Sequence, residues 1–410
     1  MSLLVDMMHL PLRVFVAPAI WLACFVGRAD GRQQSDPATP TSVDDISIRD
    51  FRPRSMLRVQ ESHLEHAQFP VIDVHTHFRF KLPKATSTEI ANYVRDSLDK
   101  NHVAVCISMD AMLGNEDDHL KLLGGDLADR FGVFVHLDWQ GAGTADDPKS
   151  WACNQVSFAR NVVEQLRVAK RKGCLGVKVF KQFGLGYLGP DGELLKVDDP
   201  RFDPIWQVCG ELEMPVLIHT ADPAAFFEPI NSENERWEEL SRHPDWSFVD
   251  VKFPRREELL AALLRLVDRH RKTKFIAAHC ANYAEDLETL GRWLEKYPNL
   301  YIDFASRIGE LGRQPYTARA FLERFNDRVL FGTDGPWPAE RLGYYWRFLE
   351  TFDEHFPYSE KQPPPQGLWQ IYGVGLSNES LEKIYYRNAL ILLPELAERY
   401  ARTKSKMIEW

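Results

Sequence analysis

Eight short apolar runs, separated by segments of helical pattern, restrict what this chain can fold into more than any other feature of it. They are VIDVHTH from Val71, VAVCISMD from Val103, FGVFVHLDW from Phe131, CLGVKVFKQ from Cys174, MPVLIHT from Met214, KFIAAHC from Lys274, NLYIDFAS from Asn299 and RVLFGTDG from Arg328. Near-continuous apolar strands that alternate with helices are buried on both faces, the condition of a parallel sheet. Between them, TSTEIANYVRDSLDK sets Glu89 three residues after Thr86, as a capping box does, and NQVSFARNVVEQLRVAKRKG ends in basic residues and Gly173, as a helix C-terminus does. REELLAALLRLVDRHRK, AEDLETLGRWLEKYP and ARAFLERF continue the alternation. The count of eight favours an α/β fold of the (β/α)8 TIM-barrel type over an open doubly wound sheet, with a long loop after strand five. No glycine-rich phosphate loop follows the first run.

Chemistry in such a barrel belongs at the C-terminal ends of the strands. His75 and His77 close the first run, His136 and Asp138 the third, Lys178 and Lys181 the fourth, His219 the fifth, His279 the sixth and Asp334 the eighth. Residues i and i+2 of a strand share a face, so His75 and His77 point the same way. Taken singly, a strand-terminal histidine is more often a hydrogen-bonded core residue, and the Asp of GTDG a turn former. Their convergence at one end of one barrel is harder to explain as packing, because burying so many ionisable groups costs free energy unless something satisfies them. A divalent metal does.

The first residues differ from the rest. Val14–Gly27 is apolar, short for a membrane span and suited to a signal-peptide core, so residues 1–29 read as an export signal cleaved after Ala29. Cys24 in WLAC raises a lipoprotein cleavage, and an uncleaved anchor or a misassigned start is the alternative. Residues 30–68 read as a polar linker and lead-in, and 69–400 as the barrel. The expectation is a periplasmic or secreted protein with no stable membrane insertion after cleavage, or a cytoplasmic one if the segment is misassigned. A net charge of −9 offers no basic field for nucleic acid; the partner expected is a small-molecule substrate, with a homo-oligomer left open. Cys106, Cys153, Cys174, Cys209 and Cys280 are odd in number, several of them in apolar runs, and read as core hydrophobes rather than a disulfide framework.

VIDVHTH, GVKVFKQFG, VLIHTAD, FIAAHC and VLFGTDGP fall in the order and positions found in the amidohydrolase superfamily. The chain resembles its amidohydrolase-related branch, which also contains decarboxylases similar to aminocarboxymuconate semialdehyde decarboxylase, over Pro70 to Leu393, and YYRNA resembles the closing helix of that family. The resemblance implies that His75, His77, His219 and Asp334 hold a catalytic divalent metal, with zinc the leading candidate and one or two ions per chain. It makes His279 a second-metal ligand or a catalytic histidine, and Lys178 either a carboxylated bridge between two metals or a plain ammonium. The implied activity is a metal-dependent hydrolase that activates a metal-bound water against a carbonyl or similar electrophilic centre of a small, carboxylated or aromatic substrate. Asp334 would serve as general base and then acid. The alternative is a metal-dependent decarboxylase of an unsaturated or aromatic acid; a non-catalytic binding barrel is a third reading, which the full ligand set argues against. Arg307, in DFASRIGELGRQPY, is the candidate fork for a substrate carboxylate, its bland rival being a helix-surface salt bridge. Lys181 and Trp337 are further candidate substrate contacts, and Trp139, Phe183, Tyr187, Phe226 and Phe227 are aromatic residues near strand ends that could line a pocket. The connection Ala221–Pro254 is long enough to read as a partial lid.

Overall fold

Each of the apolar runs forms a strand. They are β1 (Val71–Thr76), β2 (Val103–Met112), β3 (Phe131–His136), β4 (Gly176–Val179), β5 (Val216–Ile218), β6 (Phe275–Ala277), β7 (Leu300–Asp303) and β8 (Val329–Leu330). In this computed structural model, which describes residues 42, 46, 47, 51 and 53–408, they form one sheet in sequence order with every neighbouring pair parallel. The expected export signal, Cys24 and the cleavage after Ala29 lie outside the described residues. Among those residues no helix is long and apolar enough to cross a membrane.

The sheet curls until its ends meet. The Val74 amide donates to the Phe331 carbonyl at 3.0 Å, Asp334 to His75 at 2.8 Å and His77 to Gly335 at 2.7 Å, so the residues after β8 run alongside β1. Gly332 permits that approach: a Cβ there would meet the Cβ atoms of His75 and Asp303, both at 3.1 Å. One apolar cluster takes Ile72, Val74, Ile107, Phe134, Leu217, Ile276 and Leu330 from the strands together with Leu393 and Leu396 from the closing segment. That segment is tied to β8, since Asn388 Nδ2 donates to the carbonyls of Asn326 at 2.6 Å and Val329 at 2.8 Å.

The helices start and stop where their punctuation says. Ser87–Tyr93 opens on the Thr86–Glu89 capping box, and Phe158–Arg171 closes before Gly173, whose φ of 97° is the left-handed conformation a helix C-terminus favours. The free cysteines among the described residues are all buried.

Strained backbone collects at the C-terminal rim. Ala221 follows β5 with φ 59°, His279, Cys280, Ala281 and Asn282 follow β6 at 60°, 56°, 54° and 50°, Ser306 follows β7 at 56° and Asp334 follows β8 at 59°. A non-glycine residue in this region costs roughly 1–2 kcal/mol, so the surroundings must hold it there. Asn282 Nδ2 does so after β6, donating to the carbonyls of Thr220 at 3.1 Å and Ala221 at 3.0 Å. Strain of this kind concentrates at functional sites.

Candidate metal centre

His75 and His77 leave β1 side by side, their ring centres 5.3 Å apart. Each gives its Nδ1 to a different buried carboxylate: His75 to Asp303 Oδ2 at 3.0 Å, His77 to Asp110 Oδ1 at 2.6 Å. Both carboxyls are held below their ordinary value, because the paired histidines and donated hydrogen bonds outweigh the opposing effect of burial. Each imidazole therefore carries its proton on Nδ1 and turns Nε2 inward. There His77 Nε2 faces Asp334 Oδ1 at 3.5 Å, and His75 Nε2 meets Lys178 Nζ at 3.2 Å. Two acceptors face one another in the first contact, an arrangement that a cation between them satisfies.

Ligand atoms of His75, His77 and Asp334 all lie within 4.8 Å of one another, as do those of His75, His279 and Asp303. The carboxylate–histidine pairs behind them are the outer contacts that fix tautomer and orientation in metal sites. By donor chemistry the residues fit a divalent ion.

Electrostatics sharpen the roles. Burial works against ionising Asp334, but Lys81, His77, His75 and Lys178 outweigh it and hold the carboxyl well below the usual range. Burial lowers His75 to about 4, with Lys178 pushing the same way, and it lowers His279 well below its ordinary value. His279 Nδ1 donates to the Ala305 carbonyl at 2.8 Å, which leaves its Nε2 as a lone pair. Lys178, 1% exposed, is drawn down to about 8 by burial against the pull of Asp303, Asp334 and Asp110.

Other candidates from the sequence are placed differently. His219 stacks edge-on to His279 at 4.6 Å, but its Nε2 turns to Asp222 at 3.3 Å and it stands outside the two ligand groups. Lys181, expected at the substrate, is paired with the same Asp222 at 2.7 Å. Trp337 donates its indole to the Thr333 carbonyl at 2.8 Å, with Lys81 3.9 Å and Arg341 3.7 Å from its ring centre. Arg307 is buried and has no carboxylate within ion-pair distance among the described residues: Nη2 donates to Asn282 Oδ1 at 2.6 Å, Nη1 to the Ser306 carbonyl at 2.9 Å, and Nε has no partner. A helix-surface salt bridge it is not. Trp139 is packed on Phe183 at 4.6 Å and against Phe202, and Phe183 also borders the groove between the loops after β4 and β5.

Asp110 and Asp303 are site residues that sequence reasoning missed, although they sit near the ends of the second and seventh runs, in VAVCISMD and NLYIDFAS, where the strand-end rule applies equally. Asp222, three residues past His219, was missed as well. So was Lys81, whose Nζ donates to the Asp334 carbonyl and lies 3.6 Å from its Oδ1. A groove of about 1350 Å³ runs between the loops after β4 and β5, touching Thr220 but none of His75, His77, His279 or Asp334.

A family model described as Amidohydrolase matches residues 72–394. The chain belongs to the amidohydrolase family. It is an enzyme of that family. No curated protein matches it. Among solved structures it is similar to a 2,6-dihydroxybenzoate decarboxylase in complex with 2,6-dihydroxybenzoate, at 18% identity over 79% of this chain and 99% of that one, with a TM-score of 0.47. A dihydroxybenzoic acid decarboxylase from Polaromonas sp. JS666 with bound manganese and an inhibitor, 2-nitroresorcinol, gives 16%, 79% and 97%, and 0.45. A probable 2-pyrone-4,6-dicarboxylic acid hydrolase from Acinetobacter baumannii with citric acid bound gives 13%, 79% and 99%, and 0.42.

Proposed function

We propose that this amidohydrolase is a metal-dependent hydrolase of a small anionic substrate, with a divalent ion, zinc by donor type, held by His75, His77 and Asp334. The observation that carries the reading is the convergence of ligand atoms of His75, His77 and Asp334 within 4.8 Å of one another, each imidazole locked by its own buried carboxylate. Such an ion supplies Lewis acidity for a carbonyl and acidifies water. The chain's own residues do the rest. Asp334, ionised and set on a strained turn, is placed to take a proton on its carboxylate and return it to a leaving group. His279 Nε2, with Nδ1 fixed, is a second acceptor beside the reacting centre. The Arg307 guanidinium, buried with its Nε unpartnered, would seat a substrate carboxylate. That same feature keeps decarboxylation of an unsaturated or aromatic acid in view as the second reading.

Metal analysis of the purified protein by plasma mass spectrometry tests the reading, with about one or two ions per chain expected. A value near one removes the Lys178 bridge, and no metal with no uptake on addition overturns the proposal. A screen of amides, lactones and unsaturated acids that follows carbon dioxide alongside hydrolysis separates the two reactions. On any anionic substrate so found, Arg307→Ala raises KM about 10- to 100-fold, the worth of hydrogen bonds to a charged group, and leaves neutral analogues unchanged. An unaltered KM removes Arg307 from substrate binding.

A further inference from the structure

Arg307 reaches past its own turn to one buried side chain. Its Nη1 donates to the neighbouring Ser306 carbonyl at 2.9 Å, its Nη2 donates to Asn282 Oδ1 at 2.6 Å, and its Nε has no partner among the described residues. Asn282 comes from the turn after β6 and is buried. Its amide has one usable orientation. Nδ2 faces the carbonyls of Thr220 at 3.1 Å and Ala221 at 3.0 Å, which only accept, so Oδ1 is the atom left for the guanidinium. A single side chain joins the rims after β5, β6 and β7.

Asn282 is itself held from several sides. Its φ of 50° is left-handed, a conformation that asparagine tolerates better than most residues. Its backbone amide donates to the His279 carbonyl at 2.9 Å, and its own carbonyl accepts from Arg256 Nη2. Arg256, on the helix Arg256–Arg269, is fixed in turn by the Asp222 carbonyl at 3.2 Å and by Glu285 at 3.1 Å. The same turn carries His279, which ties the anchor of Arg307 to a candidate ligand. After burial and His219, the charge of Arg307 is the next effect that lowers His279, so guanidinium and imidazole are near neighbours.

We propose that Asn282 is a positioning residue, which presets the Arg307 guanidinium beside the His279 turn to receive an anionic group of the substrate. The proposal rests on the reading of Arg307 as the seat of a substrate carboxylate, and Asn282 acts through Arg307 alone. An unrestrained arginine gives up rotamer freedom when a ligand fixes it, whereas a preset one has already done so, and the ligand binds tighter for it.

Butyrate and butyramide, an anion and its neutral isostere, are the probes, titrated by ligand-observed NMR against full-length, metal-loaded protein. The ratio of their dissociation constants is the readout, and the wild type is expected to favour butyrate. Asn282→Gly keeps the left-handed backbone and removes only the amide. It is expected to lower the preference about tenfold, towards the loss given by Arg307→Ala, with butyramide binding and metal content unchanged. Adding Asn282→Gly to Arg307→Ala is expected to change nothing further, because a residue that acts only through Arg307 then has nothing left to position. If Asn282→Gly does not fold, Asn282→Asp takes its place; its carboxylate claims the Arg307 charge, and the preference falls as well. A preference that survives substitution of Asn282 but not Arg307→Ala overturns the positioning role, as does a loss that adds fully to that of Arg307→Ala or that extends to butyramide. A wild type without the preference, or an Arg307→Ala variant that keeps it, overturns the reading of Arg307 itself and the positioning role with it, so the two failures are distinguishable.

Discussion

Replacing His75 and His77 together by alanine is expected to abolish stoichiometric metal binding while the barrel stays folded. The two imidazoles are the donors that the end of β1 contributes, and without them Asp334 is left with the ammonium groups of Lys81 and Lys178. Replacing only the carboxylates behind them should act more gently. Asp303→Asn weakens the hold on His75 Nδ1, and Asp110→Asn the hold on His77, so each is expected to cost about 10- to 100-fold in metal affinity. Asp303 has the wider reach, since its Oδ1 also accepts the amides of His279 at 3.0 Å and Ala305 at 2.9 Å. Competition against a chromophoric chelator measures the affinities, with circular dichroism as the control for folding. A double alanine variant that keeps its metal would place the ion elsewhere and return both histidines to the core.

That contrast also marks how far the sequence could be read. All the strands were legible because nearly every residue in them is buried, so the apolar signal is strong, and the HTH pair was legible because two residues is the period of a strand. Asp303 and Asp110 act through contacts 228 and 33 residues away in sequence, which local spacing does not encode. Lys181 shows the converse: a cation at a strand end suggests a substrate anion, and in the structure it is paired with Asp222 from the loop after β5. His219 is subject to the same pull. The loop after β5 was legible as long, yet what anchors it was not, because the anchor lies on another strand's connection.

The anchor is Arg236, and it carries the second large effect. This guanidinium, 1% exposed, sits on the loop after β5 and pairs with Glu310 from the turn after β7 and with Glu239 at 2.5 Å, between the rings of Phe226 and Trp369, each 5.5 Å from it. Glu310→Ala leaves a buried charge short of its partner, and the expected loss is about 3–5 kcal/mol of stability. Replacing both partners, Arg236→Met with Glu310→Leu, should restore most of it, because no unpaired charge remains. The pH dependence has a definite sign. Burial opposes ionisation of Glu310, but Arg236 and then Arg307 outweigh it and hold the carboxyl below its ordinary value of 4.5. Between the folded and unfolded values the native state binds fewer protons, so stability rises with pH there; the contribution is complete above 4.5 and is lost as pH falls through the folded value. Denaturation of wild type and Glu310→Gln at neutral pH should therefore show a wide gap that narrows in acid below 4.5. A gap that stays constant across that range would mean that Glu310 contributes by shape rather than by charge, and that the loop after β5 is held over the barrel by its packing on Phe226 and Trp369.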